Sequence, residues 1–187
     1  MAPKLFRIIV ASAFLCTLMV GAARADELAL RKAYVLWEQG YALHLLGHYE
    51  RATELFTASI EIQPTADAHT FRGWSLSMLG RLKEAIDDCK QAIRLDPDYG
   101  NPYNDIGVYL IELDRLEEAI PWLKKAMDAK RYCCYQYPHF NLGRIRLMQG
   151  RMAEAKRSFE QALFYEPEYE PALRALELLR EHWKEPV

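Results

Sequence analysis

Apolar residues recur at helical spacing through most of this chain, and small residues punctuate them at nearly constant intervals. From Leu28 to Leu46 the apolar positions follow every three or four residues, which predicts an amphipathic helix that ends at Gly47. A second run, from Glu50 to Ile62, predicts another helix that stops before Pro64, because proline lacks an N–H and disfavours helix in the preceding residue. Each helix carries an apolar stripe too wide to leave in water. The two are therefore expected to fold back on each other as a hairpin.

The hairpin pattern repeats along the chain. One series of glycines is spaced by 33, 34 and 36 residues, at Gly40, Gly73, Gly107 and Gly143. A series of alanines has the same three spacings, at Ala52, Ala85, Ala119 and Ala155. Two independent series with identical offsets indicate a stacked array of helical hairpins, in which each unit buries its apolar face against its neighbours.

Each unit resembles the tetratricopeptide repeat, which has glycine or alanine at positions 8, 20 and 27, large residues at 17 and 24, and proline at 32. The repeats are predicted over residues 33–65, 66–99, 100–135 and 136–169. The third repeat departs from the pattern, since Arg131 stands where the proline is expected and Pro121 lies inside the second helix. A start of that helix near Glu117 would leave Pro121 in its first turn, where the missing N–H costs little.

The resemblance implies an all-α fold: a right-handed superhelix of four helical hairpins, with one concave and one convex face. A further helix is predicted over residues 171–183, where Pro171 occupies an allowed first-turn position. One side of it is apolar and the rest is polar, as expected of the helix that caps such an array. One repeat domain over residues 26–187 is thus predicted.

The first 25 residues have the pattern of a secretory signal peptide. A short basic region with Lys4 and Arg7 precedes an apolar run from Ile8 to Val20, and Ala23-Arg24-Ala25 forms a small-x-small cleavage site. The apolar run is shorter than the roughly 20 residues that span a bilayer, so an exported protein, periplasmic or secreted, without a membrane span is predicted.

Cleavage leaves 21 basic residues against 26 acidic ones, a net charge of −5. This acidic balance without a basic stripe argues against a nucleic-acid partner.

Aromatic residues are concentrated where the resemblance places the concave groove. In this family the first helix of each repeat lines the groove, and an exposed aromatic patch is typical of a binding site for an extended peptide or a partner helix. The predicted partner-binding residues are Tyr34, Trp37, Tyr41, Trp74, Met78, Asn101, Asn104, Tyr137, Phe140 and Arg144. Alternatively, part of this strip packs against residues 26–32 or against a second copy of the protein, which would form a homo-oligomer.

The adjacent cysteines Cys133 and Cys134, in the irregular stretch 129–138, are a candidate redox pair. They could be two reduced thiols, a vicinal disulfide, or partners in a disulfide to another chain or to Cys89. With His139 they match no common zinc spacing, so neither a metal nor another cofactor is predicted. Cys89 falls at a core position of its repeat and is expected to be buried.

These features favour a non-catalytic exported scaffold or adaptor that mediates protein–protein interactions in a bacterial cell envelope. Exported arrays of the type IV pilus pilotin family also have an irregular, lengthened connection between their third and fourth repeats. A pilotin-like assembly factor of a pilus or secretion system is therefore the alternative, and a self-assembling structural protein is a third hypothesis. The sequence contains no Gly-x-Ser-x-Gly turn, phosphate loop or paired-histidine metal motif, so no enzyme is predicted.

Overall fold

The computed structural model describes residues 26–183, and this part of the chain is all-α, with nine helices and no strand. The helices are α1 (26–45), α2 (Tyr49–Ile62), α3 (Ala66–Met78), α4 (Leu82–Leu95), α5 (Asn101–Glu112), α6 (Leu116–Asp128), α7 (Gln136–Met148), α8 (Met152–Tyr165) and α9 (Glu170–His182). The predicted all-α fold of helical hairpins is confirmed. None of the described helices is long and apolar enough to cross a membrane. The predicted signal peptide, residues 1–25, lies outside the described residues.

Two compact units make up the chain, one ending at Pro64 and the other beginning at Thr65. The first contains α1 and α2. The second contains the hairpins α3–α4, α5–α6 and α7–α8, followed by α9. The domain and repeat boundaries given above remain predictions.

In the first unit, α1 and α2 pack as a hairpin. The hydroxyl of Ser59 donates a hydrogen bond to the carbonyl oxygen of Ala33 at 2.7 Å. A Cβ atom on Gly40 would lie only 3.0 Å from the ring of Phe56, which is fully buried. The glycine series therefore marks positions of close packing between the two helices of a hairpin: Gly40, Gly107 and Gly143 face large side chains, and Gly73 faces the backbone of Ala85 and the thiol of Cys89.

The core of the second unit is divided into several clusters. One cluster joins Cys89 of α4, Ile106 of α5, Leu123 of α6 and Ile145 of α7, all fully buried. The expected burial of Cys89 is confirmed. A second cluster, centred on Phe159 of α8, includes buried residues of α9, so α9 covers the apolar end that α8 would otherwise expose.

The position of Pro121 differs from the expectation. Because α6 begins at Leu116, Pro121 is its sixth residue, beyond the first four N–H groups that lack intrahelical partners. The carbonyl oxygen of Glu117 thereby loses its usual helical donor. The expected first-turn placement was wrong.

The irregular connection between α6 and α7 is fixed against the turn before α5. Arg131 and Tyr99 form an isolated parallel bridge. In it, the Gly100 N–H donates a hydrogen bond to the Arg131 carbonyl oxygen at 3.1 Å, and the Arg131 N–H donates one to the Asp98 carbonyl oxygen at 2.8 Å. The Arg131 guanidinium lies 4.0 Å from the Tyr99 ring centroid. A Cβ on Gly100 would lie 2.5 Å from atoms of Tyr132, so the close approach requires glycine.

The turns within the hairpins need left-handed backbone. Gly80, between α3 and α4, has a φ of +73°, and a Cβ atom added there would meet no atom within 4 Å. In the equivalent turn between α5 and α6, Asp114 adopts a φ of 57°. We expect Gly80→Ala to lower the free energy of unfolding by about 1 kcal/mol in urea denaturation, through backbone strain alone. Asp114→Gly, the control, should be at least as stable as the wild type. A Gly80→Ala protein of unchanged stability would contradict the strain.

Candidate functional site

The ten predicted groove residues divide between the two units. Tyr34, Trp37 and Tyr41 belong to α1. The other seven belong to the second unit: Trp74 and Met78 to α3, Asn101 and Asn104 to α5, and Tyr137, Phe140 and Arg144 to α7.

The three residues of α1 form a stacked aromatic strip. The rings of Trp37 and Tyr41 are nearly parallel, with centroids 5.7 Å apart and an interplanar angle of 4°. The ring of Tyr34 lies 6.0 Å from that of Trp37 at 26°. Residues three and four apart share one helix face, so the three neighbouring rings lie in a row along one side of α1.

In the second unit, α3, α5 and α7 surround a cavity of about 170 Å³, called here the Trp74 cavity. Four predicted residues line it: Trp74, Asn101, Asn104 and Tyr137. Trp74 and Tyr137 are each 42% exposed. The remaining lining residues are Thr70, Phe71, Asp105 and Tyr132. First helices of three successive repeats thus converge on one site.

Of the seven predicted groove residues in the second unit, three do not line the Trp74 cavity. Met78 is exposed near the end of α3. The Phe140 ring packs against Phe159 and Tyr169, with centroids 5.5 and 5.4 Å away. Arg144 donates a hydrogen bond to the Asn141 side-chain oxygen at 3.2 Å.

A chain of hydrogen-bonded side chains leads from α7 to two residues that line the cavity. Asn141 donates to the side-chain oxygen of the buried Asn104 at 3.2 Å, and Asn104 donates to the Asp105 carboxylate at 3.4 Å. Both ends of the Asn104 amide are thereby engaged within the protein. Asn101, which donates to the Tyr99 hydroxyl at 3.2 Å, lies at the same cavity.

Asp105 is one of four lining residues that are not among the predicted groove residues. Burial raises the pKa of its carboxyl to about 7, against a weaker lowering by the hydrogen bond from Asn104. Asp105 holds the same place in its repeat as Asn141 does in the next, 36 residues later. Because that place adjoins the groove position of Asn104, the repeat register alone could have indicated it.

Tyr132 also lines the cavity and carries a polar group without a partner. Its side chain is 8% exposed, and in the described part of the chain its hydroxyl has no hydrogen-bond partner. Burial, followed by the charge of Asp105, raises the pKa of the phenol, which therefore stays neutral. A buried hydroxyl without a partner costs about 1–3 kcal/mol, so a ligand group that bonds to it would recover that energy.

The described cysteines are free thiols. The sulfurs of Cys133 and Cys134 lie 2.8 Å apart, with Cys133 exposed and Cys134 half-buried. Burial and the hydrogen bond with Cys133 raise the pKa of Cys134 to about 11, so little thiolate forms there at neutral pH. Their role as a redox pair remains a prediction. Among residues 26–183, no group of three or more His, Cys, Asp or Glu side chains could hold a metal ion.

Comparison with known proteins gives the family. One model of the tetratricopeptide repeat matches residues 66–99, and a second matches 33–65, 101–133 and 138–169, more than half of the chain. The human DnaJ homolog subfamily C member 7 is 26% identical over 83% of this chain and 33% of its own length. The chain spans a third or less of the length of the curated relatives it matches.

Solved structures show the same fold. PilW, described as a widely conserved type IV pilus biogenesis factor, superposes with a TM-score of 0.73 at 20% identity, covering 80% of this chain and 69% of PilW. YrrB, described as a repeat protein with an unusual peptide-binding site, gives a TM-score of 0.64 at 17% identity, covering 86% of this chain and 88% of YrrB. The repeated hairpins and these matches together show that the chain belongs to the tetratricopeptide repeat family.

Proposed function

We propose that this protein is a non-catalytic scaffold that mediates protein–protein interactions by binding a segment of a partner protein at the Trp74 cavity. The observation that carries the proposal is the pair of half-exposed aromatic rings, Trp74 and Tyr137, at a cavity that polar side chains also line. Large aromatic side chains around a pocket that can be desolvated supply most of the energy in typical protein interfaces.

The likeness to YrrB, described as having a peptide-binding site, supports a peptide-like ligand. The sequence pattern of residues 1–25 supports export, so we place the interaction in a bacterial cell envelope, with the protein periplasmic or secreted.

The test is site-specific photocrosslinking in envelope extracts, followed by an affinity measurement with the purified captured protein. A photoreactive residue at Trp74 is compared with one at the exposed Lys90 of α4. Capture of a discrete partner from position 74 alone is expected. Capture from both positions, or from neither, would contradict the proposal.

We predict that Trp74→Ala weakens the affinity for that partner at least tenfold, because a half-exposed indole that lines the cavity is typical of the residues that dominate binding energy. Phe164→Ala is the matched control, since this aromatic residue is 76% exposed on α8 and does not line the cavity. Its affinity should equal that of the wild type in isothermal titration calorimetry. Equal losses in both variants would indicate a nonspecific apolar effect.

A pilotin-like assembly role is the second candidate. The connection between α6 and α7 is irregular, which is the feature that the sequence shares with exported pilotins, and PilW is described as a type IV pilus biogenesis factor. This role predicts a pilus or secretion-system subunit among the captured proteins. Self-assembly instead predicts that position 74 captures a second copy of the chain.

A further inference from the structure

We infer that the Trp74 cavity receives a lysine or arginine side chain of the partner segment, with the Asp105 carboxylate as its counter-charge. This inference rests on the proposed function and adds the chemistry of the ligand.

The second unit contains a buried carboxylate that shows what a fully paired aspartate looks like in this protein. Asp88 accepts hydrogen bonds from both Nε and Nη2 of Arg72, at 2.7 and 2.6 Å, and lies 2.9 Å from the His69 ring nitrogen. A buried carboxylate needs such partners, because removing a charge from water is costly unless other charges or donors replace the hydration.

Asp105 lacks this set of partners. Its hydrogen bond from the neutral Asn104 is long, at 3.4 Å, and no ion pair to it occurs within residues 26–183. What it lacks is a cation. None of the eight lining residues is a lysine or an arginine, so the cavity itself does not supply one.

Tyr132 is the second, independent indication of a ligand. Its side chain lines the same cavity, and its buried hydroxyl has no partner among the described residues. A phenol oxygen can accept a hydrogen bond from an ammonium or guanidinium N–H. The carboxylate and this hydroxyl together offer two acceptors to one donor group.

The walls of the cavity also suit a cation. Trp74, Phe71 and Tyr137 place aromatic rings around it, and ring faces attract a nearby ammonium or guanidinium group by about 0.5–2 kcal/mol. The aliphatic stem of lysine or arginine can pack on the same rings. An acidic segment would instead meet the Asp105 carboxylate with no lining cation to balance it.

The binding should depend on pH. Burial sets the pKa of Asp105 near 7. The titratable groups that its charge affects are Cys89, Tyr99, Tyr109 and Tyr132, whose own pKa values are raised, so they stay neutral in this range. Tyr137 lines the same cavity, Asp67 of α3 acts on Tyr99, and Arg144 of α7 is connected to Asp105 only through Asn141 and Asn104. A cation binds the ionised carboxylate, so binding at low pH must release a proton. Affinity is therefore expected to rise about 30-fold from pH 5.5 to pH 8 and to level off above pH 8.

The test uses Nα-acetyl-lysine amide as the probe and its Nε-acetylated counterpart, which lacks the charge, as the matched control. Binding is followed by NMR chemical shifts of the Asp105 carboxyl carbon and the Tyr132 ring. At pH 8 the charged probe should bind at least tenfold more tightly than the neutral one, with the pH dependence given above. Equal affinity of the two probes, or no dependence on pH, would overturn the inference.

Two variants separate the charge from the fold. Asp105→Asn keeps the size of the side chain and should remove both the preference for the charged probe and the pH dependence. Tyr132→Phe removes only the hydroxyl and should weaken the affinity for the charged probe about threefold. Asp87→Asn is the control, because the Asp87 side chain of α4 is 77% exposed. It should change neither the preference for the charged probe nor the pH dependence of binding. An Asp105→Asn protein that folds and keeps the preference would refute the assignment, as would an unchanged probe affinity in Tyr132→Phe.

The outcomes also distinguish this inference from the proposed function. A partner whose capture at position 74 is unaffected by Asp105→Asn would leave the scaffold function standing and overturn the cationic ligand. Specific binding of the charged probe without any captured partner would support the cavity chemistry and count against the scaffold function.

Discussion

Replacing Asp88 with alanine is expected to lower the free energy of unfolding by about 3 kcal/mol. The carboxylate joins Arg72 and His69 of α3 to α4 in a buried network, and its removal leaves the Arg72 guanidinium without its bidentate partner. Burial by itself would raise the pKa of Asp88, but the hydrogen bonds from Arg72 and His69 outweigh it and lower that pKa below its ordinary value.

Urea denaturation at neutral pH measures the effect, with Asp87→Ala as the matched control on the same helix. The Asp87 side chain is 77% exposed, so this variant should stay within about 0.5 kcal/mol of the wild type. Equal losses for the two variants would mean that the network does not stabilise the hairpin.

The contribution of Asp88 should depend on pH with a definite sign. Because its pKa is lowered in the folded state, its stabilisation is present above the unfolded pKa of about 4 and is lost as the pH falls through the folded value. The stability difference between the wild type and Asp88→Asn should therefore shrink in acid. A difference that grows below pH 4 would contradict the assignment.

Replacing Phe159 with alanine is expected to lower the free energy of unfolding by about 4 kcal/mol. The ring is 1% exposed, packs 5.5 Å from Phe140, and lies where a Cβ on Gly143 would overlap it. Its loss would leave a cavity between α7 and α8 that the glycine opposite is too small to fill.

Phe164→Ala on the same helix removes the same ring from a largely exposed site and should cost no more than about 0.5 kcal/mol. Urea denaturation gives the global values, and amide hydrogen exchange in α7 to α9 shows where protection is lost. A cost below 1 kcal/mol for Phe159→Ala would mean that the hairpin repacks around the gap.

The sequence by itself determined the fold family and the packing within each hairpin. The register of Gly40 with Phe56, and of Gly143 with Phe159, repeats because a small residue is needed wherever a large ring meets a helix backbone. Such steric requirements act between positions at a fixed separation in the chain, so they leave a periodic signal. The groove residues of α3, α5 and α7 could be named on the same basis, by their place in the repeat.

Only the tertiary structure decided what each of those residues contacts. Phe140 packs against Phe159, and Asn104 is hydrogen-bonded within the protein. Asp105 lines the same cavity as Tyr132, and Tyr132 belongs to a connection that no repeat position predicts. Two aspartates also show this limit, since the buried Asp88 and the partly buried Asp105 have opposite pKa shifts although neither local sequence reveals it. The ionisation of a buried carboxyl depends on donors and charges brought from other helices, and spacing along one helix does not record them.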